Sequence, residues 1–201
     1  MSFRIEEKLT IDNYKIVDFK SFLSKKTAKQ IYQPRKIESL YFDNINYEMY
    51  NDSIEGLTPR KKIRVRNYPG TNDAKLYLET KISSVEGRFK TRKIISSNKF
   101  DELKKEGIFD PQYGLCKPCL HVSYDREYFK IDDVRISIDN NINYKIFSQN
   151  ICEKDAFSVI EIKTSINKNI DELVKEFPFQ KNRFSKYCNA VEKIIYKQKS
   201  N

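Results

Sequence analysis

The chain of 201 residues carries 38 lysines and arginines against 28 aspartates and glutamates, so its formal net charge is +10 at pH 7. This excess favours anionic partners: nucleic acid, phosphate polymers, acidic membranes or phosphorylated small molecules. The length suits one domain over residues 1–201 with a core of its own. No stretch approaches the roughly 20 apolar residues of a membrane span, and the N-terminus lacks a signal-peptide core, so we predict a cytoplasmic protein without a membrane span.

Eight strands are predicted from the period-two alternation of Val, Ile, Tyr, Phe and Thr with polar residues. In chain order they cover about residues 2–9, 35–43, 60–68, 75–82, 88–95, 121–129, 133–140 and 158–164. Turns are predicted over residues 68–73 and 84–87, and Asp132-Asp133 predicts a tight reversal. Consecutive strands that are joined by short turns pair in antiparallel fashion.

Four helices are predicted over residues 12–31, 98–106, 170–176 and 184–198. The first carries Ile16, Phe19 and Leu23 at helical spacing. Because both faces of the strands are in use, we predict an α+β fold. Its centre is an eight-stranded antiparallel β-barrel, a tunnel with a charged interior and with the helices packed outside.

The four cysteines leave more than one interpretation open. Cys116 and Cys119 have the C-x-x-C spacing, which fits a redox pair or half of a zinc site. The other two, Cys152 and Cys188, lie far apart in the sequence, and His121 is the only histidine. We interpret the cysteines as reduced thiols in loops.

The most informative segment is the basic run over residues 60–66. Read as a strand, it places Arg60, Lys62, Arg64 and Arg66 on one face. Like charges along one strand face repel each other, so the run gains nothing from folding alone. A solvent-exposed edge strand is the alternative interpretation.

Recurrence of the pattern favours a binding surface over that alternative. Three other strand-like runs repeat the alternation of charged residues: Arg88, Lys90 and Arg92; Glu79 and Lys81; Glu161 and Lys163. Two further runs each contain one cation, Arg126 or Arg135. The carboxylates that would face the interior are fewer: Glu6, Glu79, Asp139 and Glu161. A lumen with more cations than carboxylates remains net positive and is destabilised by repulsion unless an anion binds. The sequence therefore predicts an anionic ligand.

The order of these motifs resembles the catalytic domain of the vacuolar transporter chaperone (VTC) polyphosphate polymerases, in the triphosphate tunnel metalloenzyme, or CYTH-like, superfamily. The matching segments in chain order are Arg4-x-Glu6-x-Lys8, Ser39-Leu40-Tyr41-Phe42-Asp43, Arg60-x-Lys62-x-Arg64-x-Arg66-x-Tyr68, Leu78-Glu79-x-Lys81, Tyr124-x-Arg126, Val134-Arg135-Ile136-Ser137-Ile138-Asp139, Glu161-Ile162-Lys163 and Arg183-Phe184-Ser185-Lys186-Tyr187. They cover nearly the whole chain.

The resemblance implies a tunnel that binds ATP, another triphosphate or polyphosphate together with Mn²⁺ or Mg²⁺. Position within the motifs, with the alternation on neighbouring strands, gives these phosphate-binding candidates: Lys8, Arg60, Lys62, Arg64, Arg66, Lys81, Arg88, Lys90, Arg92, Arg126, Arg135, Lys163, Arg183, Ser185 and Lys186. Six of them are predicted to be catalytic: Arg64, Arg66, Lys81, Arg126, Arg135 and Lys186. The implied metal ligands are Glu161 and, second, Glu6. An internal ion pair of Glu161 with Lys163 is the alternative to the metal site.

Two positions depart from the family pattern. Arg4 replaces the first Glu of the superfamily's opening Glu-x-Glu-x-Lys, which removes a carboxylate that triphosphatases use for metal. Ala190 stands near the position where a Gly is expected. The first departure is itself typical of the VTC form.

We therefore favour a polyphosphate polymerase and keep two alternatives, a triphosphate hydrolase on the same tunnel and a non-catalytic binder of polyphosphate or RNA. The sequence contains no Trp and no RNP-like, KH or zinc-finger pattern, which argues against sequence-specific nucleic-acid recognition. We interpret Tyr41, Tyr68 and Tyr124 as packing residues.

Overall fold

The computed structural model describes residues 4–71, 75–165 and 184–196. The predicted helix over residues 170–176 and the candidate Arg183 lie outside these ranges. The chain divides into two compact units. Unit 1 comprises Met1–Lys36, Tyr124–Ile142 and Lys154–Phe184, and unit 2 comprises Ile37–Ser123, Asn143–Glu153 and Ser185–Asn201.

The strands of the described ranges are β1 (Arg4–Asp12), β2 (Lys29–Asp43), β3 (Arg60–Asn67), β4 (Leu76–Ser84), β5 (Gly87–Ile95), β6 (Ile108–Asp110), β7 (Gly114–Ile131), β8 (Val134–Ile146), β9 (Cys152–Lys154) and β10 (Phe157–Ser165). Each predicted strand overlaps an observed one. The tight turns predicted at residues 84–87 and at Asp132-Asp133 are confirmed, since β4 and β7 end and β5 and β8 begin there. The short strands β6 and β9 were not predicted, because three residues are too few to show an alternation.

The helices of the same ranges are α1 (Ile16–Lys25), α2 (Glu48–Glu55), α3 (Ser97–Glu106) and α4 (Lys186–Ala190), which continues as a π-helix over Val191–Tyr196. A 3₁₀ turn over Asn13–Lys15 precedes α1. None of the helices in the described part of the chain is long and apolar enough to cross a membrane.

The strands pair in the order β1-β10-β8-β7-β2-β3-β4-β5, with β6 added to β7 and β9 to β8. This confirms the α+β class and the antiparallel pairing. Among the described residues no pairing joins β1 to β5, so the sheet has ten strands and is not closed. The prediction of a closed eight-stranded barrel is wrong, because alternation reveals which face of a strand is polar and not whether the outer strands meet.

The predicted helix over residues 12–31 is also wrong in extent. Its apolar stripe ends at Leu23, and Thr27 adopts a left-handed φ of 54°, which the α-helix cannot continue through. The chain then enters β2 at Lys29, earlier than the predicted start at residue 35. Helix α2 was not predicted. Its first turn is stabilised by the side chain of Asp43, which accepts from the backbone N–H of Met49 and of Tyr50, each at 3.1 Å.

The core of unit 1 lies between α1 and one face of its sheet. Phe19 and Leu23 of α1 are buried against alternate residues of three strands, which are Leu9, Ile11, Val134, Ile136, Ile138, Ile160 and Ile162. These strand residues are apolar at every second position, so the other face of the same strands is left for polar side chains.

Unit 2 is built in the same way. Leu40 and Phe42 of β2 and Ile63 and Val65 of β3 are buried on one face, with Leu103 of α3 packed in the same cluster. In both units a helix therefore packs on the apolar face and leaves the charged face uncovered by that helix.

The packing of α1 gives a stability prediction. Phe19 is fully buried, so Phe19→Ala removes apolar contact and leaves a cavity, and it lowers the free energy of unfolding by roughly 3–5 kcal/mol. Val17→Ala, on the exposed side of the same helix, changes it by less than about 0.5 kcal/mol. Urea unfolding measures both variants. Equal losses would contradict this placement of α1.

Candidate functional site

One face of strands β3, β4 and β5 carries most of their charged side chains. The register places Arg64 beside Glu79 and Glu79 beside Arg92, and residues two apart share that face. We call this the unit 2 charged face. It comprises eight cations and one carboxylate, namely Arg60, Lys62, Arg64, Arg66, Glu79, Lys81, Arg88, Lys90 and Arg92. The predicted sharing of a face by the four cations of β3 agrees with this register.

Glu79 is the centre of this face and is only 2% exposed. Arg64 donates from Nε at 2.8 Å, and its Nη2 lies 2.7 Å from the same Oε2 atom. The Nζ of Lys90 lies 2.5 Å from Oε1, Arg92 Nε lies 3.4 Å from Oε1, and Arg66 Nη1 lies 3.8 Å from Oε2. Burial alone raises the pKa of the carboxyl group, but Arg64 and Arg66 lower it to about 2. Glu79 is therefore ionised and holds the cations together.

One carboxylate does not neutralise the face. The pKa of the Tyr41 hydroxyl is affected by the surplus positive charge. Its hydroxyl accepts from Arg64 Nη1 at 2.8 Å, and the side chain is buried. Burial raises the pKa of a phenol, yet the charges of Arg64, Arg66 and Lys62 lower the pKa of Tyr41 below its usual 10. The pKa of Lys90 is lowered as well, by burial and by repulsion from Arg64 and Arg66. The face is therefore electrostatically prepared for an anion.

The motif over residues 39–43 supports this face. Ser39 accepts from Arg66 Nε at 3.2 Å, Tyr41 holds Arg64, and Asp43 accepts from the hydroxyl of Tyr187. The rings of Tyr41 and Tyr187 stack at 5.0 Å between centroids. Sequence reasoning identified the motif by resemblance alone and missed these roles. The signal was available as the alternation of Ser, Tyr and Asp with the buried Leu40 and Phe42.

Helix α4 brings Ser185 to the same unit. Ser185 caps the helix by accepting from Cys188 N at 3.3 Å, and it also accepts from Lys62 Nζ at 2.8 Å. Lys186 is the first residue of α4. The α-helical part is only five residues long, so its N-terminus does not by itself make an anion site. A phosphate role of Ser185 and Lys186 stays a prediction.

The second charged surface belongs to unit 1. The register places Glu6 beside Lys163 and Lys8 beside Glu161, with Arg135 next to Lys163 on β8. Arg126 and Asp139 complete this unit 1 charged face, since both contact Glu161 or one another. All of them except Asp139 were predicted as site residues.

Arg126 is the least exposed cation of this face, since 16% of its side chain is exposed. Its guanidinium forms a two-pronged ion pair with Asp139, in which Nη2 donates to Oδ2 at 2.6 Å, and Nη2 also lies 3.6 Å from Glu161 Oε2. Lys163 Nζ lies 2.7 Å from Glu161 Oε1. Burial alone raises the pKa of Glu161, but Arg126, Lys163 and Lys8 hold it well below its usual range. Glu161 is therefore a permanent anion, and its predicted ion pair with Lys163 is present.

Glu161 and Glu6 are the carboxylates of this face that a divalent metal would use. Lys163 Nζ lies 2.7 Å from Glu161 and 3.7 Å from Glu6, so a cation already bridges the two carboxylates. Among the described residues, no group of three or more His, Cys, Asp or Glu side chains is placed to hold a metal. Two carboxylates fit Mg²⁺ or Mn²⁺ that keeps waters and takes its remaining ligands from substrate phosphates. They do not fit an ion held by protein atoms alone.

The remaining candidates differ in their surroundings. Arg135 is exposed, and its guanidinium lies 5.8 Å from the ring centroids of both Tyr32 and Tyr128. Lys8 Nζ donates to the carbonyl of Phe184 at 3.2 Å. Lys81 and Arg88 are exposed on the unit 2 charged face. Tyr41, Tyr68 and Tyr124 are buried, in agreement with packing roles.

The C-x-x-C spacing lies in strand β7, Cys152 lies in β9 and Cys188 in α4, so the prediction of loop thiols is wrong. Residues three apart on a strand point to opposite faces, and all four cysteines are free. Burial raises the pKa of the Cys116 thiol to about 12 and that of Cys119 as well. Such thiols are poor nucleophiles and poor metal ligands.

Comparison with known families matches residues 3–195 of the chain to a family model described as the VTC domain. Among curated proteins none matches the chain.

Solved structures with a similar fold include candidate adenylate cyclases of low sequence identity. One is from Bacillus halodurans, with 14% identity, 96% of this chain and 97% of that chain covered, and a TM-score of 0.63. A second, from Hippeastrum, is described as having a dominant triphosphatase activity, with 14% identity, 94% and 96% covered and a TM-score of 0.62. A third, from Vibrio parahaemolyticus, has 10% identity, 95% and 98% covered and a TM-score of 0.59. At these identities the likeness shows the fold.

The depressed pKa of Glu79 gives a pH-dependence prediction. At neutral pH Glu79→Gln leaves the buried Arg66 and the partly buried Arg64 without their counter-charge, and it lowers the free energy of unfolding by roughly 3 kcal/mol. A carboxyl with a folded pKa of about 2 and an ordinary value of 4.5 contributes stability that is full above pH 4.5 and is lost as the pH falls towards 2. The difference in free energy of unfolding between wild type and variant should therefore be constant near neutral pH and become smaller below pH 4.5.

Denaturant unfolding between pH 7 and pH 3 measures that difference. The contributions of the other titrating groups cancel, because both proteins contain them. Glu102→Gln is the control, because Glu102 is an exposed partner of Lys99 on α3. A gap between wild type and Glu79→Gln that stays constant down to pH 3 would show that Glu79 is not held by the cations as described.

Proposed function

This chain belongs to the VTC domain family, as the order of its sequence motifs predicts, and on that premise we propose that it is a polyphosphate polymerase. It binds ATP and polyphosphate on its charged faces and transfers phosphoryl groups with a divalent metal. The proposal treats residues 1–201 as one functional domain.

The observation that carries the proposal is the unit 2 charged face with its eight cations around one buried carboxylate. Guanidinium forks bind phosphate oxygens in pairs, and ammonium groups supply point charges, so a mixture of both suits a chain of phosphates. A ligand with a single carboxylate group would neutralise only part of the surplus positive charge of this face. The lowered pKa of Tyr41 supports a ligand with several negative charges.

Phosphoryl transfer needs positioning and charge neutralisation more than acid–base chemistry. The residues that we propose to be catalytic, each through the positive charge that it supplies, are Arg64, Arg66, Lys81, Arg126, Arg135 and Lys186. The other cations hold the rest of the phosphate chain. The nucleophile is a phosphate oxygen at the end of the acceptor chain. It attacks the terminal phosphorus of ATP, the bond between the bridging oxygen and that phosphorus breaks, and ADP leaves, so no serine or cysteine nucleophile is needed.

Glu161 and Glu6 are the residues that would hold Mn²⁺ or Mg²⁺. When bound, the ion supplies further neutralisation of the charge that develops on the phosphate oxygens. Arg126 orients Glu161 from one side and Lys163 from the other, so the carboxylate is ionised and fixed before the substrate arrives.

The surplus positive charge predicts stabilisation by inorganic triphosphate. An anion that binds the folded state and relieves repulsion raises the melting temperature, and the shift grows as salt is lowered, since exposed charges are then less screened. Millimolar tripolyphosphate should give a clear shift at 20 mM salt and a smaller one at 500 mM. Arg60→Gln with Arg88→Gln should reduce it. An unchanged melting temperature at low salt would contradict the proposal.

The activity prediction concerns Glu161. Glu161→Gln keeps the size of the side chain and removes its charge, so it should abolish turnover that depends on Mn²⁺ while triphosphate binding is retained. Purified protein is incubated with ATP and Mn²⁺, and polyphosphate, ADP and free phosphate are resolved. The wild type should produce ADP and long chains in step. Glu153→Gln, an exposed residue of β9, is the control and should behave as the wild type.

Other reaction products would indicate a different function. ADP with free phosphate would assign a triphosphate hydrolase. Binding of tripolyphosphate without any product would assign a non-catalytic binder. Full turnover in Glu161→Gln would remove Glu161 from the metal site.

A further inference from the structure

The unit 2 charged face changes character along its strands. Paired residues on neighbouring strands form rows across the face, and successive rows lie roughly 7 Å apart, the rise of two strand residues. One end row contains Arg66, Tyr77 and Ile94, and the next contains Arg64, Glu79 and Arg92. The rows beyond contain no carboxylate among their paired residues, and they carry Lys62, Lys81, Lys90, Arg60 and Arg88. The face thus has an aromatic and apolar end and a purely cationic end.

Arg92 is fixed at the boundary between these two ends. Its guanidinium carbon lies 3.5 Å from the centroid of the Tyr77 ring, which is a stacking contact. Nη2 donates to the Tyr68 hydroxyl at 3.0 Å, and Nε lies 3.4 Å from Glu79. The side chain is nevertheless 41% exposed. A guanidinium group anchored through one face and two nitrogens presents its other surface as a flat, preorganised plane.

Ile94 lies beside this plane and is out of place on a charged face. It pairs with Tyr77 in the register and is 56% exposed. An exposed β-branched side chain next to a fixed guanidinium plane offers apolar contact to a flat ring. The guanidinium charge attracts phosphate. Phosphate gains nothing, however, from a flat stacking surface or from an apolar side chain. The pair therefore indicates a ligand that carries an aromatic group in addition to its charges.

We propose that Arg92, Tyr77 and Ile94 form a platform for the base of a nucleoside triphosphate. The base stacks on the exposed surface of the Arg92 guanidinium and contacts Ile94, and the phosphates extend over Lys62, Lys81 and Lys90 in the neighbouring row. Bases stack on arginine planes in many nucleotide-binding proteins. This inference rests on the proposed function and deepens it, because it gives the nucleotide a direction along the face and adds a contact that an inorganic phosphate chain cannot make.

The test compares the affinities of ATP and of inorganic tripolyphosphate, measured by titration calorimetry without metal, in the wild type and three variants. Arg92→Lys keeps the charge but loses the plane, and Tyr77→Leu keeps apolar bulk but removes the supporting ring. Each should weaken ATP binding about tenfold and change tripolyphosphate binding less than about twofold. Arg88→Lys, the matched control on the same strand face, should leave the ratio of the two affinities unchanged.

A second comparison uses CTP in place of ATP. A purine offers more stacking surface, so the wild type should prefer ATP, and Arg92→Lys should remove most of that preference. If the ratios of ATP to tripolyphosphate affinity are the same in wild type, Arg92→Lys and Tyr77→Leu, the platform is overturned while the proposed function stands. If the wild type binds no tripolyphosphate at all, the proposed function itself fails, and the platform fails with it.

Discussion

The contact between Glu79 and the surrounding cations is the interaction on which unit 2 depends. Four positive groups from β3 and β5 converge on one buried carboxylate, and without it their mutual repulsion would have no counterweight among the paired residues of β3, β4 and β5. The compensation is incomplete, because eight cations share the face. The folded unit therefore keeps a net positive charge on this face, which attracts an anion. Stability and ligand binding are consequently linked at the same residues. One carboxylate suffices for folding, and a polyanion that neutralises the other cations would stabilise the folded state further.

Unit 1 solves a similar problem with a different ratio of charges. There three carboxylates face four cations, Arg126, Lys163, Lys8 and Arg135, so the charges are closer to balance. The ion pairs keep the carboxylates ionised and in a fixed position. Such carboxylates suit a site that binds a metal cation together with phosphate. The imbalance in unit 2 suits the binding of phosphate itself. The two units thus offer complementary chemistry, each built on the polar face of strands whose other face is the core.

Much of this could be predicted from the sequence, since alternation depends only on the two-residue period of a strand. The charged faces at Arg60–Arg66 and at Glu161 and Lys163 followed from it directly. The roles of Asp43 and Tyr187 could not be predicted, because their contact joins residues that are 144 positions apart. Helix α2 was missed because it has only eight residues and depends on the Asp43 side chain at its first turn. The open sheet was missed because closure is a property of the two outer strands together and leaves no pattern in either.

The central claim is that the unit 2 charged face is completed by a phosphate polyanion. The most direct measurement is a crystal structure of the protein with inorganic tripolyphosphate at low ionic strength. Phosphate oxygens should lie within hydrogen-bonding distance of Lys62, Arg64 and Lys81, with Glu79 still held by Arg64. Tripolyphosphate bound away from β3, β4 and β5, with the contacts of Glu79 unchanged and these three cations facing only water, would contradict it.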